Sequence, residues 1–397
     1  MRYFLLHKNR LLASFELNLE VSNAEIYSQF KQYLPLPLKR ILNNQDEFLD
    51  SFNGNKYIVN EEGCYLIDIW LFDREVPANR EKIEKYGRTS KERRNFMLDN
   101  YSCSLTDCYW VKPASCQKSW EEVNLYSYNG IDSLEVVISG GQKHYKGYNS
   151  TLGGQLEKFW YVSDYNENKT LKLCKKSERL FDILSIREII ATKVYKELNT
   201  VPYCNYEYVY NKYNEIVGCK CDAYTSEKLE LVTAYDLLEE DNLSQVNDVY
   251  DKIIEKACFY GAEEFEVRKY MDIQTIVDFV ILNRDRHQGN IGFLRNSDTL
   301  KILCPTPIYD SGSSRHMEME KPEGITGTTV NGLYTTEDEC LEHVTLWNIV
   351  DTSKFPNSSI ILNELNKSVS LSENRKHRLI ELYNEKLNYL KNTRGCI

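Results

Sequence analysis

The stretch Val277–Ser314, VDFVILNRDRHQGNIGFLRNSDTLKILCPTPIYDSGSS, constrains this chain more than any other. An apolar run from Ile276 to Leu282 leads into Asn283-Arg284-Asp285-Arg286-His287, and Asn290 follows Asp285 by five residues. Two short apolar segments, Ile291 to Leu294 and Leu300 to Cys304, flank a turn at Asn296-Ser297-Asp298 and read as a hairpin. Tyr309-Asp310-Ser311-Gly312 then follows. Phosphoryl transfer needs a carboxylate beside the attacking hydroxyl and oxygen ligands for Mg²⁺ on the phosphates. An Asp, an Asn and a second Asp after a hairpin supply those parts. Mg²⁺ takes carboxylate and amide oxygens and keeps several waters, so Asn290 and Asp310 suffice as its protein ligands, with Asp285 as the base. A polar loop in which Asp285 caps one turn and Asp310 opens another would use the same residue types. The D-x-H-x-x-N pattern is unspecific alone; Y-D-x-G-x-S downstream of it makes the combination specific.

A second informative stretch is Asn149 to Lys172, NSTLGGQLEKFWYVSDYNENKTLK. Paired glycines, Gly153-Gly154, let backbone N–H groups approach phosphate oxygens because no Cβ intervenes. The same pair also suits an ordinary hairpin turn. Strands are expected at Phe159 to Val162 and Thr170 to Leu173, placing Lys172 mid-strand. A kinase needs a cation on its nucleotide phosphates, held by a carboxylate from a neighbouring helix. Ile183 to Leu198 is such a helix by pattern, with Ile186, Ile190, Val194 and Leu198 on one stripe and Glu188 off it. Lys172 with Glu188 is the expected pair, although pattern alone leaves Lys175 and Lys176 open. Strands at Tyr206 to Tyr210 and Ile216 to Ala223 follow. The second would end in a hinge near Cys219 to Tyr224, with Cys221 against the nucleotide.

These residues resemble the HipA-like serine/threonine kinases, and more distantly the phosphatidylinositol kinases, which also carry a DRHxxN loop. The resemblance covers most of the chain. Trp70, Arg74, Pro77 and Arg80 match the W-x-x-x-R-x-x-P-x-x-R signature of stand-alone Firmicute members. Ser150, Thr151, Gly153, Gly154, Lys158 and Trp160 match the family's S-T-x-G-G-x-x-x-K-x-W phosphate loop, with Glu157 where a Pro is usual. The resemblance implies ATP and Mg²⁺ as cofactors, Asp285 as catalytic base, Asn290 and Asp310 as metal ligands, and a lysine strand in agreement with Lys172. It implies that His287 braces the loop at the nucleotide site. It also implies a protein substrate, or a toxin acting with a small helix-turn-helix antitoxin. A lipid or small-molecule acceptor keeps the same chemistry; the chain lacks the polybasic face that a lipid surface would favour. A phosphate on Ser150 or Thr151 would put about two negative charges where nucleotide phosphates sit and close the site.

The fold expected is α+β and bilobal, protein-kinase-like. Residues 1–128 form a small N-terminal α+β domain, 129–225 the N-lobe with the Gly-rich loop and hinge, and 226–397 a mainly helical C-lobe. The length of 397 residues is ample for such cores. A net charge of −10 argues against a protein whose main work is gripping nucleic-acid backbones. No apolar run is long enough to span a bilayer, and the interrupted start MRYFLLHKNRLL does not read as a signal peptide, so a cytoplasmic location is expected. The 12 cysteines contain no CxxC pair, which suits free thiols in a reducing compartment better than a zinc site.

Elsewhere the pattern predicts a hairpin from Tyr3–Leu6 and Leu11–Leu17, helices at Ala24–Tyr33, Gln45–Phe52 and Ala78–Arg94, and a strand at Tyr65–Phe72. Further helices are expected at Ser244–Tyr260 and Glu263–Leu282. A capping box at Ser370 and Glu373 is expected to open the last helix. Arg315 to Thr336 is rich in Gly, Thr and Glu, lacks periodicity and reads as an activation-segment-like loop or a long surface loop.

Overall fold

The computed structural model describes residues 1–78, 87–127, 131, 133–134, 157–165, 168–177, 182–243, 246–312 and 325–393. The fold mixes α-helix and β-sheet. Its first sheet has six strands in the order β4-β5-β3-β2-β1-β6. These are β1 (Arg2–His7), β2 (Arg10–Leu17), β3 (Val21–Tyr27), β4 (Leu49–Asn53), β5 (Lys56–Val59) and β6 (Tyr109–Pro113). The expected β1–β2 hairpin forms. Two expectations in this region fail for the same reason, a misread period. Val21–Tyr27 is a strand because pairing with β2 buries Ala24 and Ile26 on one face; only a 3₁₀ turn, Ser28–Tyr33, follows it. Tyr65–Phe72 is helical, within α2 (Glu61–Asp73), after α1 (Leu36–Asn43). A short, mostly apolar stretch suits one face of a helix as well as a strand, and Ile67, Trp70 and Leu71 are the residues of that stretch which this helix buries. The N-cap decides: the Asn60 side chain accepts from the Gly63 N–H at 3.0 Å, and Glu61 and Glu62 occupy the first turn. Gln45–Phe52 is helical only to Phe48 before β4 begins. The basic helix is α3 (Ser90–Asp99), opened by a Thr89–Glu92 capping box; Asn79 and Arg80 lie outside the described residues.

The second sheet runs β7-β8-β10-β9, from β7 (Lys158–Tyr165), β8 (Asn168–Lys176), β9 (Glu207–Tyr210) and β10 (Ile216–Asp222). The long helix α4 (Asp182–Leu198) packs on it through β10 and β9. A third, three-stranded sheet has β12 (Gly292–Asn296) between β11 (Leu229–Thr233) and β13 (Ile302–Pro305). The β12–β13 hairpin was legible; β11 was not. Around it sit α5 (Ala234–Glu239), α6 (Val249–Phe259), α7 (Glu264–Ile281), α8 (Glu337–Glu342), α9 (Ser358–Leu365) and α10 (Glu373–Thr393). Ile276, Val277 and Val280 of α7 are fully buried in the largest core, which α4, α6 and α10 share. Ser370 does not cap α10: its hydroxyl donates to the buried Asp182 carboxylate, and the Arg375 N–H reaches Ser372 instead. No helix among the described residues is long and apolar enough to cross a membrane.

The first and third sheets are joined by a buried polar network. His7 of β1 and Glu230 of β11 are both completely buried, with His7 Nε2 2.8 Å from Glu230 Oε1. The Cys108 N–H donates to the same oxygen at 2.9 Å, while Arg295 of β12 donates to Oε2 and to the Tyr109 hydroxyl. Burial alone would raise the Glu230 carboxyl pKa, but Arg295 and His7 pull it well below the usual range. Because the folded-state value is the depressed one, this contribution is complete above the unfolded carboxylate range and drains away as pH falls below about 4. Glu230→Ala should cost roughly 3–5 kcal/mol in urea unfolding at pH 7, since it strands the Arg295 cation. The deficit relative to wild type should shrink as the pH is lowered; a deficit that grows on acidification would contradict the arrangement.

Candidate active site

The α7 helix ends at Leu282, whose left-handed backbone (φ 61°) turns the chain into the Asp285 loop. Arg286 is buried there and organises both halves of the site. Its guanidinium holds both Asp278 carboxylate oxygens, the carbonyls of Asn290 and Tyr309, and the Ser311 hydroxyl, at 2.7–3.1 Å. One side chain thus fixes the distance between the Asp285 loop and the Asp310 segment. Bidentate pairing with Asp278 matches the planar geometry only Arg offers. Burial would lower the Arg286 pKa, yet Asp278 raises it above the ordinary arginine range. Asn290 is buried and its Nδ2 donates to the Asp285 carbonyl at 2.9 Å. His287 Nδ1 accepts from the Gly289 N–H at 3.1 Å, a bracing contact inside the loop.

Asp310 also has a left-handed backbone, φ 54°, a conformation that costs a non-glycine residue energy and so marks a constrained position. The bend lets its carboxylate face Lys175 Nζ at 2.8 Å and Lys158 Nζ at 3.4 Å. Lys175 simultaneously donates to Glu188 Oε1 at 2.5 Å, and the second Glu188 oxygen accepts the Ser311 N–H at 3.1 Å. Burial opposes the charge of Lys175, but Asp310 and Glu188 overrule it and hold the ammonium well above the ordinary lysine range. Asp310 shows the converse. Burial would raise its pKa, while Lys158, Lys175 and Arg286 drive it far below the usual carboxylate range, so it is ionised at any working pH.

The Lys172–Glu188 expectation is therefore corrected: Glu188 takes Lys175. Side chains alternate along a strand, and the two lysines differ by an odd number of positions, so they point to opposite faces of β8. Lys175 stands directly across from Lys158 on β7, and Leu173 across from Trp160; all four face the cleft. Lys172 emerges on the other face and pairs with Asp222 at 2.7 Å.

Lys158, Lys175, Asp285, His287, Asn290 and Asp310 line one cavity of about 1070 Å³, which Cys221 and Tyr224 at the end of β10 also border. Ser150, Thr151, Gly153 and Gly154 lie outside the described residues. Sequence reasoning missed Arg286, although an Arg between Asp285 and His287 in a loop that must be rigid was a usable signal. It also missed Asn331, whose Nδ2 donates to Asp285 Oδ1 at 2.5 Å.

Gly312 explains how closely the Asp310 segment lies on α4. A Cβ there would sit 2.6 Å from Glu188 Cγ and 2.8 Å from the Leu184 carbonyl oxygen. Gly312→Ala should push the segment off the helix and destabilise the fold by about 1–3 kcal/mol, read as a lowered Tm. An unchanged Tm would mean the segment can move without cost.

Solved structures similar to this chain include the following two. One is the Helicobacter pylori proinflammatory kinase CtkA, at 16% identity and a TM-score of 0.43, covering 60% of this chain and 91% of that one. The other is the HipA, HipB and operator DNA complex of the Shewanella oneidensis MR-1 toxin–antitoxin system, at 10% identity and a TM-score of 0.43, covering 99% of this chain and 98% of that one. No family model matches. No curated protein matches either. The likeness is loose, and the case for chemistry rests on the cleft's own side chains.

Proposed function

We propose that this protein is a bilobal ATP- and Mg²⁺-dependent phosphotransferase that phosphorylates a serine or threonine hydroxyl of a protein. The observation that supports it is the convergence of two lysines, two aspartates and an asparagine on one cleft. In this reading residues 1–128 form the accessory domain, 129–225 the nucleotide-covering lobe and 226–397 the lobe carrying the Asp285 loop.

The donor set suits Mg²⁺. Asp310 is held ionised, and the Asn290 amide nitrogen is committed to the Asp285 carbonyl, leaving its oxygen as the end that can ligate. Hard oxygen donors with room for water are what this ion takes. Bound there, it would neutralise charge on the nucleotide's phosphate oxygens. Lys175, braced by Glu188, is positioned to hold phosphates, and Lys158 stands beside it. Ser150, Thr151, Gly153 and Gly154 would cover those phosphates, and the backbone from Cys221 to Tyr224 would meet the adenine. Asp285 receives the proton as the acceptor oxygen bonds to the γ-phosphorus and the bond to the β-phosphate oxygen breaks. His287 keeps its bracing role.

The test is phosphate transfer from labelled ATP to proteins of a host lysate. Asp285→Asn and Lys175→Met should each lower labelling by about 10²–10⁴-fold. Lys172→Met should label like wild type. Equal labelling by wild type and Asp285→Asn would end the kinase reading. Loss in Lys172→Met with retention in Lys175→Met would overturn the lysine assignment alone.

A further inference from the structure

Asn331 lies in a stretch that carries no helical or strand period, yet it is held in place by a built turn. The backbone N–H of Val330 donates to the Thr335 carbonyl at 2.9 Å, and Thr329 and Thr336 form an isolated antiparallel bridge. The Glu337 N–H closes the base on Thr328 at 3.1 Å. Leu333 and Tyr334 pack against the largest core, and the Tyr334 ring stacks on His343 at 4.2 Å with the planes 1° apart. The tip is therefore anchored on both sides. It makes two contacts with the loop expected to do the chemistry: the Asn331 N–H donates to the Arg284 carbonyl at 2.7 Å, and Nδ2 donates to Asp285 Oδ1 at 2.5 Å.

A carboxylate turns about its last bond with a broad, roughly two-fold preference, so a free Asp285 would present either oxygen over a range of angles. A hydrogen bond to one oxygen removes that freedom and aims the other. The donor is a neutral amide. It orients the group without the loss of basicity that an ammonium at the same point would impose. Orientation of this kind matters because a reacting group must be held within about half an ångström of its working position.

We propose that Asn331 is a positioning residue, which fixes the Asp285 carboxylate through Oδ1 so that Oδ2 meets the acceptor hydroxyl. This assignment rests on the kinase reading of the cleft. The same segment brings Thr329 and Val330 to the border of the cavity.

The experiment compares wild type, Asp285→Asn, Asn331→Ala and Asn331→Asp in transfer of labelled phosphate, with binding of a fluorescent ATP analogue measured alongside. Asn331 is exposed, so Asn331→Ala should melt like wild type. Its kcat should fall about 10-fold or more while the KM for ATP stays within about twofold. Asn331→Asp, which keeps the size but offers no N–H to Oδ1, should lose kcat to a similar extent with the KM for ATP likewise held. A kcat equal to or above wild type in Asn331→Ala or in Asn331→Asp overturns the assignment while Asp285→Asn remains inactive. If Asp285→Asn labels as well as wild type, the kinase reading has failed, and the role of Asn331 falls with it.

Discussion

A single buried ammonium, that of Lys175, sets the geometry of the cleft. Removing such a charge from water costs several kcal/mol unless it is closely paired. Here the offset comes from two carboxylates on different parts of the chain, Glu188 of α4 and Asp310 of the segment after β13. Because Lys175 must satisfy both, the strand, the helix and the segment are drawn to one point. The second Glu188 oxygen then captures the Ser311 N–H, and Gly312 permits the close approach. Arg286 does the corresponding work below the cleft, spanning Asp278, the Asp285 loop and the Tyr309–Ser311 segment. The two cations together brace the Asp310 segment, Lys175 through the Asp310 carboxylate and Arg286 through Tyr309 and Ser311.

The parts of this arrangement that were legible in the sequence are those encoded locally. The long helix with its i, i+4 stripe, the Asp285 loop at a helix end and the hairpin after it each follow from spacing within a few residues. What was lost depended on partners far away in the chain. Whether Lys172 or Lys175 faces the cleft is a question of strand register, and register is settled by pairing with Lys158 and Asp222 on neighbouring strands. The Ala24–Tyr33 and Tyr65–Phe72 expectations failed similarly: a few apolar residues in a short stretch mark a buried face without fixing its period. β11 was invisible because its burial depends on β12 and on the first sheet. Asn331 was hidden in a segment of Gly and Thr with no periodicity, where only the coordinates connect it to Asp285.

The polar interior carries more of this fold's specificity than the apolar residues do. Apolar packing in the large core tolerates exchange of one aliphatic residue for another of similar volume. The contacts of Arg286, Glu188 and Asp182 do not, because each donor has a directed acceptor. Asp182 takes both Ser368 and Ser370 hydroxyls and the Val369 N–H, tying the start of α4 to the stretch before α10. A helix that carries Glu188 is in this way fixed at its first residue as well as along its length.

The His7–Glu230–Arg295 contact has a consequence for the order in which the chain acquires its shape on the ribosome. β1 is made well before the acid it needs, which lies 223 residues further along, and the arginine that keeps this acid charged comes later still. Until then the nascent first sheet carries an imidazole and a Cys108 amide whose acceptor has not been made. That sheet therefore reaches its final state only after Glu230 and Arg295 have been translated, which gives holdase chaperones a long interval in which to engage it.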